Sequence, residues 1–273
     1  MDGLLVQPQW LQEHLQDPGP RVVEVDVSPA AYNEGHIDGA VLWNVYTNLK
    51  DSGYHLVGRA ALEDLITRSG ISPGSTVVCY GYAAAMALWL LKTHGHADVR
   101  LLDCARGTWR DEGRPWTATG ARQAVTPYQL PAADDRIWAS HQEVAAAVAD
   151  PARLLLDVRT GPEFRRECFW PSGGAEPGGR AGHVPTAVNL PLEGLYDERG
   201  AFATQADLRR IFAAADPDGD GEIITYCTIG GRASTAWFVL THLLGRPNVR
   251  VYDGSWAEWG KLPGAPIEAG AAR

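Results

Sequence analysis

Lysine is scarce in this chain of 273 residues, which has lysines only at positions 50, 92 and 261, so nearly all of its 24 basic residues are arginines. The 33 acidic residues give a net charge of −9, which argues against nucleic acid or an anionic membrane as the main partner. An anionic substrate must then be bound by particular arginines, because the chain offers no basic field to attract it.

Long hydrophobic runs are absent too, so the sequence predicts no membrane-spanning segment. The first ten residues have neither the basic start nor the apolar stretch of a secretory leader. The four cysteines show neither CxxC pairing nor the clustering of metal ligands; they are Cys79, Cys104, Cys168 and Cys227. These features predict a cytoplasmic protein with reduced thiols.

One segment imitates a metal site. Residues 216–221 read Asp-Pro-Asp-Gly-Asp-Gly, like the start of an EF-hand loop, but the twelfth position of that loop is Cys227, where calcium needs a glutamate. A strand pattern also follows where a helix is required. We therefore interpret the segment as a turn and expect no metal.

The two halves of the chain resemble each other. Three pairs of segments match: 22–43 with 154–190, 77–80 with 223–226, and 99–109 with 249–256. In each half, short runs rich in Val, Ile and Leu alternate with helical patterns, which is typical of a parallel sheet covered by helices on both faces. We predict an α/β fold with two tandem domains, residues 1–120 and 141–273, joined by a linker over 121–140.

The most informative segment lies in the second half. An apolar, β-branched run at 222–226 predicts a strand, and Cys227 follows it directly. Two glycines and Arg232 come next, and a helical pattern begins at once. A strand that turns sharply into a helix directs backbone N–H groups and the positive end of the helix at the loop. A cysteine held there is expected to be largely thiolate, so Cys227 is predicted to be a nucleophile.

The same loop supplies the predicted binding groups. The N–H groups between Thr228 and Ala233 are expected to hold an anion; beside Arg232 the predicted binding residues are Thr228, Ile229, Gly230, Gly231 and Ala233. Arg232 is the first candidate cation for a charged donor. Arg159, at the carboxyl end of a predicted parallel strand, is the second, against the alternative of an ion pair with Glu163.

Other polar and aromatic residues have structural interpretations. Asp157 is expected to accept hydrogen bonds from loop N–H groups. His36 and His183 occupy matching positions in both halves, which indicates a structural role, and Trp109 and Trp256 are predicted core residues.

The first half lacks the reactive groups. Tyr80 is followed by Gly-Tyr-Ala-Ala-Ala with no cysteine and no arginine, and the segment from Tyr80 to Gly95 is four residues shorter than that from Tyr226 to Gly245. We expect these four residues to be missing from the loop, and the first half to be a structural partner domain.

Two further motifs make the chain resemble the tandem-domain rhodanese family of sulfurtransferases. Residues 32–40 are similar to its N-terminal signature, with Asp38 where a proline is usual, and residues 249–259 fit its C-terminal signature closely. The resemblance covers nearly the whole chain. It implies two tandem rhodanese-like domains, of which only the second is active.

By that resemblance, Cys227 accepts the outer sulfur of a small donor and carries it as a persulfide to a thiophilic acceptor. No cofactor is needed, because sulfur is both cargo and nucleophile. Thiosulfate is the preferred prediction for the donor, since Arg232 at the end of the loop favours a doubly charged molecule. The loop sequence matches neither the thiosulfate nor the 3-mercaptopyruvate enzymes of the family, so both donors stay open. Cyanide, a dithiol such as thioredoxin and a sulfur-delivery protein are all candidate acceptors.

Two other functions are compatible with parts of the sequence. A cysteine phosphatase of the cell-cycle type needs five residues between cysteine and arginine, whereas four lie between Cys227 and Arg232. A rhodanese-like module that only binds a partner is compatible with the empty first half, but the retained Cys227 and Arg232 speak against it.

Residues 166–180 have no counterpart in the first half. Their glycines and prolines predict an irregular, mobile loop. We expect the loop to border the mouth of the site, with Trp170 or Phe169 as an apolar wall and Cys168 as a bystander.

Overall fold

A computed structural model of the chain describes residues 3–121, 123–216 and 221–270. The chain forms two compact units. The first takes the residues up to Ser52 together with Leu56–Asp134 and Tyr196–Phe202; the second takes Gly53–His55, Asp135–Leu195 and the residues from Ala203 onward. Most of the predicted calcium-like turn, residues 217–220, lies outside the described residues.

The first unit is built on a five-stranded parallel sheet in the order β1-β6-β5-β2-β4, with a separate antiparallel pair, β3 and β7. Helices flank the sheet. Its elements are β1 (Leu5–Val6), α1 (Pro8–His14), β2 (Pro20–Asp26), α2 (Ala30–Glu34), β3 (His36–Ile37), β4 (Val41–Asn44), a π-helical turn (Val45–Leu49), α3 (Arg59–Arg68), β5 (Thr76–Tyr80), α4 (Ala84–Thr93), β6 (Asp98–Leu102), α5 (Arg106–Asp111) and β7 (Trp116–Thr117).

The second unit holds a four-stranded parallel sheet in the order β11-β10-β8-β9, again flanked by helices. Its elements are a 3₁₀ turn (Asp135–Ile137), α6 (His141–Val148), β8 (Arg153–Asp157), α7 (Gly161–Phe164), β9 (Val188–Asn189), α8 (Gln205–Ala213), β10 (Glu222–Tyr226), α9 (Gly231–Phe238), a π-helical turn (Val239–Leu243), β11 (Val249–Val251) and α10 (Ser255–Trp259). The predicted α/β class with two parallel sheets is confirmed.

The central strands are buried on both faces, which explains their continuous apolar runs. In β10, Ile223 and Ile224 are both at most 1% exposed although they point to opposite sides of the sheet. Trp109 and Trp256 are fully buried, each in the core cluster of its own unit, so the prediction of core roles for both is confirmed.

The repeat extends to individual hydrogen bonds. In the first unit, the His36 ring stacks on Tyr32 and its Nδ1 lies 2.8 Å from the Tyr32 carbonyl oxygen. In the second, the His183 ring stacks on Phe164 and its Nδ1 lies 2.9 Å from the Phe164 carbonyl oxygen. These contacts confirm the structural interpretation of both histidines.

A second matched pair ties each histidine segment to the central strand. The backbone N–H of Ile37, next to His36, donates to the Tyr80 hydroxyl at 3.1 Å. The N–H of Val184 donates to the Tyr226 hydroxyl at 3.2 Å. Since Tyr226 immediately precedes Cys227, this bond joins the end of β10 to a neighbouring segment.

The expected four-residue deletion in the first loop is wrong. Three residues separate β5 from α4 and four separate β10 from α9, so the loops differ by one residue. The other three residues lengthen the helix, because α4 has 10 residues whereas α9 has 8 and continues into a five-residue π-helical turn. A π turn absorbs extra residues without breaking the helix.

The 166–180 segment is irregular, as predicted, but it is firmly attached. Phe169 is 2% exposed and belongs to the core of the second unit, so Trp170 is the member of the pair that keeps exposed surface. Arg180 donates to the carbonyl oxygens of Gly260, Leu262 and Ala265. These contacts hold both ends of the segment against the body of the unit.

No helix within 3–121, 123–216 or 221–270 is long and apolar enough to cross a membrane.

Replacing Tyr226 by phenylalanine should lower the free energy of unfolding by about 1–3 kcal/mol, because the buried N–H of Val184 loses its acceptor. Urea denaturation measures the change. Tyr82→Phe is the control: the residue is 58% exposed, and this surface substitution should change the free energy of unfolding by no more than about 0.5 kcal/mol. Equal effects of the two substitutions would contradict the structural role of the Tyr226 hydroxyl.

Candidate active site

Cys227 lies directly beyond the carboxyl end of β10, and α9 begins four residues later at Gly231. The predicted strand, loop and helix are therefore all present. The Cys227 side chain is only 1% exposed, and its Sγ accepts a hydrogen bond from the Gly230 N–H at 3.1 Å. The loop thus bends back so that one of its own amides faces the sulfur.

The first turn of α10 holds the other side of the loop. The N–H groups of Trp256 and Ala257 donate to the carbonyl oxygens of Cys227 and Thr228, each at 2.9 Å. The Cys227 N–H donates to the Ser255 hydroxyl at 3.1 Å. With both carbonyls engaged by α10, the loop peptides are fixed in orientation, which is the condition for preorganised N–H donors.

Ser255 itself has an unusual backbone. Its φ is +53° and its side chain is fully buried, with the hydroxyl donating to the Tyr252 carbonyl oxygen at 2.7 Å. Left-handed backbone is uncommon outside glycine and costs energy that the surrounding contacts must offset. The strain is located at the residue that accepts the Cys227 N–H.

Gly230 is required by the geometry of the loop. Its φ is +91°, and a Cβ at this position would lie 2.9 Å from the Asp253 carbonyl oxygen. Both the conformation and the close approach of the backbone exclude a side chain.

Arg232 does not stand alone. Its Nη1 and Nη2 each lie 2.8 Å from a different carboxylate oxygen of Glu163, and Nη2 also lies 2.7 Å from the Thr228 hydroxyl. The Thr228 hydroxyl donates to Glu163 at 2.6 Å. Burial raises the pKa of Glu163, but the hydrogen bonds and charge of Arg232 and the two threonine hydroxyls outweigh burial and lower it overall.

Arg159 is paired with Asp157, so the alternative of an ion pair with Glu163 is wrong. Its guanidinium donates to both carboxylate oxygens of Asp157, the shortest distance being 2.7 Å, and to the Gly182 carbonyl oxygen at 2.7 Å. Both charged side chains are fully buried, and the guanidinium lies 4.5 Å from the centre of the Trp256 ring. The buried Nη1 of Arg159 has no hydrogen-bond partner within the part of the chain that the structure describes.

Asp157 also accepts the Arg159 backbone N–H at 3.0 Å, which confirms its predicted role as an acceptor for loop N–H groups.

The structure brings most predicted site residues together. Those on the loop and the first turn of α9 are all buried: Thr228, Ile229, Gly230, Gly231 and Ala233. Arg232 keeps 17% of its side chain exposed. That these loop residues and Arg232 contact a sulfur donor stays a prediction.

Sequence reasoning missed Glu163 as the partner of Arg232 and Ser255 as the acceptor of the Cys227 N–H. The signal for Glu163 was present: Thr160-x-x-Glu163 is a capping-box pattern, and the structure shows both of its hydrogen bonds. It begins a helix just after β8, next to β10 in the sheet. No comparable signal identifies Ser255.

A cavity of about 720 Å³ lies at the opposite end of the sheet, lined among others by Arg153, Leu154 and Ile223. Ligands of parallel sheets bind beyond the carboxyl ends of the strands, where Cys227 stands, so this cavity is not the candidate site. Within the part of the chain that the structure describes, no group of three or more His, Cys, Asp or Glu side chains is arranged to hold a metal ion.

The arrangement offers the Cys227 thiol, the Gly230 N–H that faces its sulfur and the start of α9 behind it. Both candidate cations are neutralised by buried carboxylates, so the immediate attraction for an anion comes mainly from the backbone. Such a site suits a nucleophilic sulfur that reacts with a small electrophile and is itself anionic before and after the reaction.

Comparison with known proteins matches the chain to one family. The profile of the Rhodanese-like domain matches residues 7–112 and 140–262. A protein of Mycolicibacterium smegmatis named "Putative thiosulfate sulfurtransferase" is 39% identical over 98% of both chains. The "Sulfur carrier protein TtuD" of Thermus thermophilus is 38% identical over 98% of this chain and 97% of its own.

A similar solved structure is that of an anaerobic ergothioneine biosynthesis enzyme from Chlorobium limicola. Its TM-score is 0.83 with 23% identity, covering 98% of this chain and 70% of that chain. At this level of identity the likeness concerns the fold.

Gly230→Ala should lower the free energy of unfolding by about 3 kcal/mol or more, because strain from the left-handed backbone adds to the contact with the Asp253 carbonyl. Gly245→Ala is the matched control, with φ of +74° and open space around the new Cβ. It should cost about 1–2 kcal/mol. Urea denaturation compares them, and a Gly230 effect no larger than the control would show that the close approach is unimportant.

Proposed function

Because the chain belongs to the rhodanese family, we propose that it is a sulfurtransferase that moves a sulfane sulfur from thiosulfate to a thiophilic acceptor through a persulfide on Cys227. The observation that carries this proposal is the position of Cys227: beyond the end of β10, with the Gly230 N–H 3.1 Å from Sγ and the start of α9 behind it.

In the first step, the Cys227 thiolate attacks the outer sulfur of thiosulfate. A sulfur–sulfur bond forms at Cys227, the bond between the two donor sulfurs breaks with its electron pair, and sulfite leaves. In the second step, cyanide or a thiolate attacks the terminal sulfur, and the electrons return to Cys227 as thiolate. The enzyme is anionic at sulfur throughout, so the Gly230 N–H and the start of α9 can stabilise every state.

Thiosulfate remains the proposed donor. Relatives named for thiosulfate support it, as does an arginine at the end of the loop. The ion pair between Arg232 and Glu163 reduces the attraction for a dianion, which keeps 3-mercaptopyruvate as the alternative donor.

The position of Arg232 also bears on the phosphatase alternative. Its guanidinium engages Glu163 and the Thr228 side chain. This pairing affects phosphate and thiosulfate alike, so the observation that favours sulfur transfer is the spacing of four residues between Cys227 and Arg232, one fewer than such a phosphatase needs.

Cys227→Ser should abolish thiocyanate formation from cyanide with either donor, because serine cannot form a persulfide. Wild-type protein should turn over thiosulfate faster than 3-mercaptopyruvate. Incubation with thiosulfate alone should add the mass of one sulfur atom to the peptide that contains Cys227.

Cys168→Ser is the control and should keep wild-type turnover. Wild-type protein inactive with both donors would refute the proposed function, and a preference for 3-mercaptopyruvate would correct the donor.

Arg232→Gln should raise the KM for thiosulfate by about tenfold or more, because the buried Glu163 carboxylate is left without its counter-charge and repels the dianion. Arg250→Gln is the control, since the Arg250 side chain is also 17% exposed and pairs with two carboxylates away from the loop, Glu143 and Glu222. Steady-state kinetics with cyanide as acceptor measure both. An unchanged KM in Arg232→Gln would exclude this charge from donor binding.

A further inference from the structure

Glu163 connects three parts of the second unit. Its carboxylate accepts from Thr228, the first residue after the nucleophile, and from Arg232, in the first turn of α9. It also accepts the backbone N–H and the hydroxyl of Thr160 at 3.0 and 2.8 Å, which close the capping box of α7. One carboxylate thus fixes both ends of the Cys227 loop to the segment that follows β8.

The burial of Glu163 shows that this is more than a surface ion pair. Its side chain is 0% exposed, whereas exposed pairs contribute at most about 1 kcal/mol and are screened by salt. A buried carboxylate without Arg232 would be strongly destabilising, so each member of the pair determines the position of the other.

The chain contains a close structural counterpart outside the site. Glu143 is the third residue of α6, closes a capping box with Ser140 and pairs with Arg250 at 2.6 Å. Its side chain is 41% exposed, and its partners are Ser140, the N-cap of α6, and Arg250 of β11. The same local chemistry therefore occurs once beside the nucleophile and once away from it, which separates helix capping from any effect on Cys227.

We infer that Glu163 is a positioning residue for sulfur transfer, which anchors Thr228 and Arg232 and cancels the charge of Arg232 beside Cys227. The part of this inference that concerns turnover depends on the proposed function. The part that concerns loop position and charge does not, because it can be measured by the chemistry of the cysteine alone.

The substitution Glu163→Gln keeps the size of the side chain and removes its charge. The guanidinium of Arg232 then faces the site uncompensated, so the surroundings of Cys227 become more positive. An anionic reagent should therefore react with Cys227 faster relative to a neutral reagent of the same size and mechanism, because only the anion is attracted by the added positive charge. A side chain that merely caps α7 would leave this preference unchanged.

Iodoacetate and iodoacetamide provide that pair of reagents. The rate of Cys227 alkylation by each is followed by mass spectrometry of the peptide that contains Cys227, in wild-type protein, Glu163→Gln and Glu143→Gln. The ratio of the iodoacetate rate to the iodoacetamide rate should rise about fivefold or more in Glu163→Gln. It should stay at the wild-type value in Glu143→Gln. A ratio in Glu163→Gln within twofold of wild type would overturn the inference.

A second variant serves as the control for a change in folding. Glu163→Gln combined with Arg232→Gln removes both charges, and its ratio should return towards the wild-type value. A ratio that stays as high in the double variant as in Glu163→Gln would contradict charge cancellation, because no Arg232 charge remains.

Steady-state kinetics separate the effect of Glu163 on donor binding, measured by KM, from its effect on catalysis, measured by kcat. With thiosulfate and cyanide, Glu163→Gln should lower the KM for thiosulfate and also lower kcat, since the dianion is attracted while the loop loses an anchor. Equal losses in kcat and kcat/KM with unchanged KM would refute the charge role. If the wild-type protein transfers no sulfur, the proposed function fails, while the alkylation ratios still decide the role of Glu163.

Discussion

The two backbone hydrogen bonds from the first turn of α10 to the carbonyl oxygens of Cys227 and Thr228 are the contacts on which the site depends. A short loop between a strand and a helix has several peptide groups that could turn either way. Because α10 engages the carbonyls, the opposite faces of these peptides are left for the sulfur. The strained backbone of Ser255, the left-handed Gly230 and its close approach to the Asp253 carbonyl all lie where α10 meets this loop.

Charge is organised by a different set of contacts. Two arginines near the nucleophile are each matched by one carboxylate, Arg159 by Asp157 and Arg232 by Glu163, and three of the four side chains are fully buried. Burying ions in such pairs is costly unless hydrogen bonds compensate, and here threonine hydroxyls and backbone groups supply further partners. Among the described residues, only Nη1 of Arg159 in these two pairs is left without a partner. The site therefore contains strong local dipoles while carrying little net charge.

The sequence was informative wherever the signal was local. The run before Cys227, the glycines after it and the apolar helix beyond predict the strand, loop and helix, since each depends on neighbouring residues. Glu163 was missed as a partner because it lies 69 positions from Arg232, and nothing in either segment alone indicates that they meet. The length of the first loop was also predicted wrongly. A difference in spacing does not show whether residues are lost from a loop or from a helix, and three of the four belong to the longer helix that continues through a π turn.

The burial of Cys227 determines which atom would be presented to an acceptor if the side chain carried an extra sulfur. A thiol that is 1% exposed presents almost no surface to a large oxidant or to a protein partner, so only a slender molecule can reach it. A sulfur–sulfur bond is about 2 Å long, so the loaded side chain ends one bond length beyond the buried atom. The outer sulfur is then the atom that contacts an acceptor, and Sγ of Cys227 stays buried during the transfer.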